Sequence, residues 1–65
     1  MLNYQKLKHL MESRSVTQAE LAEEVGVSVA AISYFTRGLK QPKLEVAQRM
    51  AEFFGVTVDE LLKKP

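Results

Sequence analysis

The three glycines of this 65-residue chain, at 26, 38 and 55, each close a stretch in which apolar residues recur every third or fourth position. That spacing lines one face of a helix, and glycine just past a helix end tolerates the left-handed backbone that stops it. The two prolines, at 42 and 65, fall outside those stretches. The chain is therefore expected to be all-α, a compact five-helix bundle containing a helix-turn-helix. A first helix is expected from Asn3 to about Ser13, with Tyr4, Leu7, Leu10 and Met11 on one face. Thr17-Gln18-Ala19-Glu20 reads as a capping box, in which the threonine hydroxyl takes one free amide and the glutamate reaches back to another. It opens a short helix carrying Leu21, Ala22 and Val25 inward, stopped by Gly26. Ser28 is placed to cap a third helix to about Arg37. A fourth is expected from about Lys43 to Phe54, with Leu44, Ala47, Met50, Ala51 and Phe54 on one face. Thr57-Val58-Asp59-Glu60 is a second capping box, opening a last helix through Leu62. Phe54 and Leu61 are the strongest candidates for the core.

Size and composition narrow the rest. Sixty-five residues allow one domain over 1–65, and a chain this short buries only about 60% of its unfolded surface. It has no cysteine and a single histidine, His9, which excludes disulfides and a structural zinc site and is compatible with a reducing cytosol. The longest apolar run is four residues, Val29-Ala30-Ala31-Ile32, too short for a membrane span or the core of a secretion signal. Apolar residues at 46% and charged residues at 26% are a globular composition. Net charge is +1 but segregated: residues 28–49 hold Arg37, Lys40, Lys43 and Arg49 against Glu45, whereas residues 15–27 hold only Glu20, Glu23 and Glu24. A basic segment is what phosphate binding needs, although basic residues are also common on ordinary surfaces.

The chain echoes itself. Residues 22–29, Ala-Glu-Glu-Val-Gly-Val-Ser-Val, resemble residues 51–58, Ala-Glu-Phe-Phe-Gly-Val-Thr-Val. Both encode one corner: helix, glycine, valine, hydroxyl cap, helix. The first has the form of a helix-turn-helix unit, about 17–37, whose second helix can lie in the DNA major groove. A generic helical corner has the same turn chemistry, so the exposed face of the second helix has to discriminate. At about 100° per residue, Ile32 and Phe35 fall on one side with Ala31 beside them. Ala30, Ser33, Tyr34 and Arg37 fall opposite, with Val29 at the edge, and that face carries no acid. After Thr57 come Asp59 and Glu60, which would repel a phosphate backbone. If one corner meets DNA, it is the first.

Val16-Thr17-Gln18-Ala19-Glu20-Leu21-Ala22, then Val25-Gly26-Val27-Ser28, Ile32-Ser33, Arg37-Gly38 and Pro42, resemble the Cro/C1-type (XRE-like) helix-turn-helix family. The likeness runs from Leu7 to Leu62. It implies a five-helix DNA-binding domain, usually a homodimer on an operator, of the kind found in lambdoid phage repressors, bacterial transcription regulators and antitoxins. It implies that Gln18 bonds a phosphate and braces the third helix. It implies that Val29, Ala30, Ser33 and Tyr34 face bases or nearby backbone, and that Arg37 and Lys40 lie along phosphates. Thr17, Ser28 and Lys43 complete the candidate phosphate contacts.

Several residues depart from that family's pattern. An arginine in the first helix often pairs with a glutamate late in the third; here Met11 and Thr36 stand there, so no charge is left unpaired. Ser15 replaces a common glycine and costs about 1 kcal/mol if φ is positive there. Lys43 replaces a common hydroxyl cap, and Leu39 a common basic residue. Val29 and Ala30 can touch a thymine methyl but cannot hydrogen-bond bases, so specificity is expected to lean on thymine methyls and DNA shape.

The expected activity is sequence-specific transcriptional regulation, repression of a palindromic operator by a cytoplasmic homodimer. Phe53 and Leu62, least well explained by a single core, are candidates for the dimer interface. No membrane, cofactor, metal or small-molecule ligand is implied. No catalytic role emerges either: His9 lies on a polar face near Lys6 and Lys8, and Ser13, Ser28 and Ser33 lack a nearby base. The alternatives are an antitoxin that represses its own operon, or a protein-interaction module bridging transcription factors.

Overall fold

Four of the five helices begin at a side chain that satisfies an otherwise orphaned amide. In the computed structural model, which describes residues 1–62, the helices are α1 (Tyr4–Ser13), α2 (Gln18–Val25), α3 (Val29–Thr36), α4 (Leu44–Phe54) and α5 (Val58–Leu61). Before α1, the Asn3 side chain accepts from the Lys6 amide at 3.1 Å. Thr17 Oγ1 accepts from the Glu20 amide at 3.1 Å, and the Glu20 carboxylate accepts from the Thr17 amide at 2.9 Å. Ser28 Oγ accepts from the Ala31 amide at 3.0 Å. The box at Thr57 and Glu60 repeats the one at Thr17. Lys43, at the head of α4, makes no side-chain capping bond, because an ammonium has no lone pair to offer.

The helices pack as α2 on α3 and α4, α1 on α3 and α5, and α4 on α5. Leu7, Leu21, Ile32, Met50, Phe54 and Leu61 are wholly enclosed between them. Tyr4, Val16, Val27, Ala31, Val46, Val56 and Val58 pack around that core. The helix boundaries agree with the expectations from spacing to within one residue, Leu62 being extended rather than the last residue of α5, and the inward faces agree with two differences.

Leu44, expected on the core face of α4, is 63% exposed. The buried side of α4 begins with Val46 and Ala47, so the first turn projects past the core and carries Leu44 with it. Conversely, Leu2 precedes every expected helix yet is only 2% exposed. The N-terminal residues form an extended arm. Leu2 pairs with Leu62 in an isolated antiparallel bridge, the Asn3 amide donates to the Leu61 carbonyl at 2.8 Å, and the Leu2 amide donates to Gln41 Oε1 at 2.7 Å. The arm thus ties α5 to the α3–α4 loop and closes the bottom of a thin core.

Ser15 takes the backbone its position demands. It is the one non-glycine residue with positive φ among the described residues, at 54°. A side chain in that region costs about 1–2 kcal/mol relative to the right-handed backbone.

Candidate nucleic-acid interface

The α2–α3 corner follows from three bonds. The amides of Gly26 and Val27 both donate to the Ala22 carbonyl, at 2.9 and 3.0 Å, and Ser28 then caps α3. This closes α2, turns the chain and sets the phase of α3. Ile32 and Phe35 are buried and Ala31 half-buried. Val29, Ala30, Tyr34 and Arg37 are exposed on the other side, and Ser33 is half-buried between them. The four candidate base-reading residues therefore lie on one outward face.

The hydroxyls at the heads of α2 and α3 differ in what they leave free. Ser28 uses an oxygen lone pair to accept a capping bond, which leaves its O–H proton able to donate outward, whereas the Thr17 hydroxyl both accepts its capping bond and bonds the Glu20 carboxylate. The first amides of a helix also carry partial positive charge and suit an anion. Gln18 is exposed in the first turn of α2. Thr17 and Gln18 line one groove of about 480 Å³ with Lys8, Met11, Ser15 and Thr36, which sets the head of α2 beside the tail of α3.

That groove shows what stands in place of a charge pair. Met11 and Thr36 are both 7% exposed. The Thr36 hydroxyl donates to the Ser33 carbonyl at 2.9 Å, so the substitution buries no unpaired polar side-chain atom among the described residues. An uncharged pair with its hydroxyl satisfied can be as stable as a buried ion pair.

At the other end of α3, three candidate residues meet. The Arg37 guanidinium carbon and the Lys40 ammonium each lie 5.3 Å from the Tyr34 ring centroid. Arg37 Nε also donates to the Ser33 carbonyl at 3.2 Å. Lys43 is exposed further along the loop. Arg49, part of the basic segment by sequence, lies elsewhere. It shares a groove with Glu24, Glu52 and Phe53, and its guanidinium reaches the α2–α3 corner, where a Cβ added to Gly26 would stand 3.0 Å from it. Its charge lies at the carbonyl end of α2. Nothing in the local sequence signalled this, because the contact joins residues more than twenty positions apart.

Of the two apolar residues set aside for an interface, Phe53 is 37% exposed and packs edge-on against Phe54, with ring centroids 5.0 Å apart. Leu62 is half-buried and held by the bridge to Leu2. His9 is exposed beside Gln5, Lys8 and Glu12. Among the described residues no helix is long and apolar enough to cross a membrane, and no group of His, Cys, Asp or Glu is placed to hold a metal ion.

Gln41 is the residue that sequence reasoning missed. It holds the N-terminal arm against the loop that carries Lys40, and a lone glutamine in a loop gives no local signal of such a partner.

Comparison with known proteins agrees with this geometry. A helix-turn-helix family model matches residues 7–61. The chain is 41% identical over 58 residues to the transcriptional activator BcrR of Enterococcus faecalis, covering 89% of this chain and 28% of that protein. It is 33% identical over 57 residues to the cryptic phage CTXphi transcriptional repressor RstR of Vibrio cholerae, covering 88% of this chain and 51% of that one. It thus spans between a quarter and a half of these two relatives. The P22 c2 repressor, in its crystal structure with a synthetic operator, superposes with a TM-score of 0.89 at 28% identity, covering 97% of this chain and 96% of that one. With its corner, its outward α3 face and its five-helix order in place, the chain belongs to the Cro/C1-type helix-turn-helix family.

Proposed function

We propose that this chain is a sequence-specific DNA-binding transcriptional regulator, a cytoplasmic repressor that acts as a homodimer on a palindromic operator. The observation that carries the reading is the outward face of α3, which is free of acid, small in its first turn, and flanked by Arg37 and Lys40. A face of that kind can approach the major groove without repelling phosphates. Relatives named as an activator and as a repressor, and a fold shared with a repressor bound to its operator, support it.

In this reading Val29 and Ala30 touch thymine methyls, and Ser33 and the Tyr34 hydroxyl bond bases or the adjacent backbone. Thr17, Gln18 and Ser28 hold one phosphate strand from the heads of α2 and α3; Arg37, Lys40 and Lys43 hold the other end. Phe53 and Leu62 contribute to the contact between protomers, whose α3 helices then meet half-sites about 34 Å apart. No step in this action calls for catalysis.

Selection of bound duplexes from a randomised library at fixed, near-physiological salt tests the proposal. Enrichment of a palindrome with half-sites one turn apart is the expected result. A single enriched half-site would remove the homodimer, and no enrichment at all would overturn sequence-specific binding in favour of a protein-interaction module.

A further inference from the structure

We propose that Tyr34 is a positioning residue: its ring holds Arg37 and Lys40 as a preformed two-cation clamp for the DNA phosphate backbone. This deepens the DNA-binding reading and rests on it.

Arg37 and Lys40 come from a loop, where long cationic side chains ordinarily sample many rotamers. Each would surrender that freedom on gripping a phosphate. Here both cations are set against one ring, at 5.3 Å. A cation over an aromatic face is attracted by the ring quadrupole. A guanidinium stacked on a ring uses its flat face, and Nε is spent on the Ser33 carbonyl, so the terminal N–H groups remain for an anion. An ammonium directing one N–H at a ring keeps two more. The clamp thus holds its cations without consuming the donors that phosphate needs.

The backbone beneath them is fixed as well. The amides of Arg37 and Leu39 donate to the Tyr34 carbonyl at 3.2 and 2.9 Å. Gly38 lies so close to Tyr4 that an added Cβ would stand 2.9 Å from that ring. Gln41 is bonded to the N-terminal arm. Residues 37–41 are therefore tied to α3, to α1 and to the N-terminal arm, and Tyr34 supplies the tie that reaches the charged groups themselves. Tyr34 is 38% exposed and no part of the enclosed core, so its ring is available for this role at little cost to the fold.

The test is a double-mutant cycle on DNA affinity at one salt concentration, using both the selected operator and an unrelated duplex. Tyr34→Ala should weaken binding to the unrelated duplex roughly fivefold, because ordered cations are lost whatever the sequence, and binding to the operator by more, since the hydroxyl contact is lost as well. In a chain already carrying Arg37→Ala and Lys40→Ala, the same change should cost less than about twofold on the unrelated duplex. Tyr34→Phe keeps the ring and should recover most of the Tyr34→Ala loss on the unrelated duplex, falling short only by what the hydroxyl contributes. In the free protein, ring-current shifts on the Arg37 Cδ and Lys40 Cε protons should be present, persist in Tyr34→Phe and vanish in Tyr34→Ala. A full fivefold loss on the unrelated duplex in the background without those two cations, or the absence of those shifts in the parent chain, would overturn the clamp while leaving DNA binding intact. Failure of the parent chain to bind any duplex is a different result, and it overturns the DNA-binding reading and the clamp together. Unchanged circular dichroism of Tyr34→Ala separates each of these from a loss of fold.

Discussion

The corners at Gly26 and Gly55 are nearly superimposable in their bonds and opposite in their use. Both glycines adopt the left-handed conformation, with φ 76° and 69°, and both following valines donate to a carbonyl five residues back at 3.0 Å. Ser28 and Thr57 then cap the next helix with the same extended backbone. Beyond the cap the resemblance ends. α3 runs for 8 residues and turns Val29 and Ala30 outward, without an acid in its first turn. α5 runs for 4, carries Asp59 and Glu60 at its head, and is clasped at its end by the N-terminal arm. Turn chemistry makes a corner; only what the second helix exposes can make it an interface.

The largest effect should come from giving the first corner the chemistry of the second. Ala30 occupies the place in α3 that Asp59 occupies in α5. Ala30→Asp should leave thermal stability near the parent value, since an acid suits the head of a helix. It should weaken DNA binding at least about a hundredfold, through repulsion between the carboxylate and the phosphates. Gel shifts on the selected operator measure this, and undiminished affinity would show that α3 does not face the backbone.

Next in size, the glycines themselves can be compared. A Cβ at Gly55 meets nothing within 4 Å, so Gly55→Ala should cost only the backbone strain, about 1 kcal/mol. Gly38→Ala adds a clash with Tyr4 and should cost about 2 kcal/mol or more. Gly26→Ala meets only the flexible end of Arg49 and should fall close to Gly55→Ala. Urea midpoints at constant slope give the ranking. Equal costs at 38 and 55 would mean the loop does not press on Tyr4.

A smaller gain is available at the turn into the unit. Ser15 holds φ at 54°, so Ser15→Gly should stabilise the domain by about 1 kcal/mol. A shift of the denaturation midpoint to higher urea is the readout.

The smallest effect treats the two capping boxes as twins. Glu20 and Glu60 both have pKa values below the ordinary 4.5, chiefly because each carboxylate accepts the backbone amide of its threonine and then because of that threonine's side chain. A depressed folded value favours the ionised form in the folded chain. The stabilisation is therefore complete above the ordinary value and is lost as pH falls through the lowered ones. Glu20→Gln and Glu60→Gln should each flatten the acid side of a stability profile slightly and to a similar degree. A marked asymmetry between them would show that the boxes are not equivalent.

What the sequence determined here is the local part of the molecule. Caps and glycine stops act over three or four residues, so Thr17, Ser28, Thr57, Gly26 and Gly55 mark the helix ends by themselves. Helical periodicity then fixes the phase of α3, and with it which residues can face outward. Tertiary structure decided everything that depends on distant partners. Leu2 becomes core only because α5 ends beside it, and Leu44 leaves the core because its helix outruns it. Arg49 is drawn out of the basic segment to the α2–α3 corner. Gln41 finds a partner 39 positions away. The gathering of Arg37 and Lys40 on Tyr34 lies between the two. All three residues are close in sequence, but their meeting depends on a loop path set by Gly38 against Tyr4 and by the N-terminal arm. A sequence specifies short-range geometry directly, while long-range contacts emerge only when the whole chain closes around one small core.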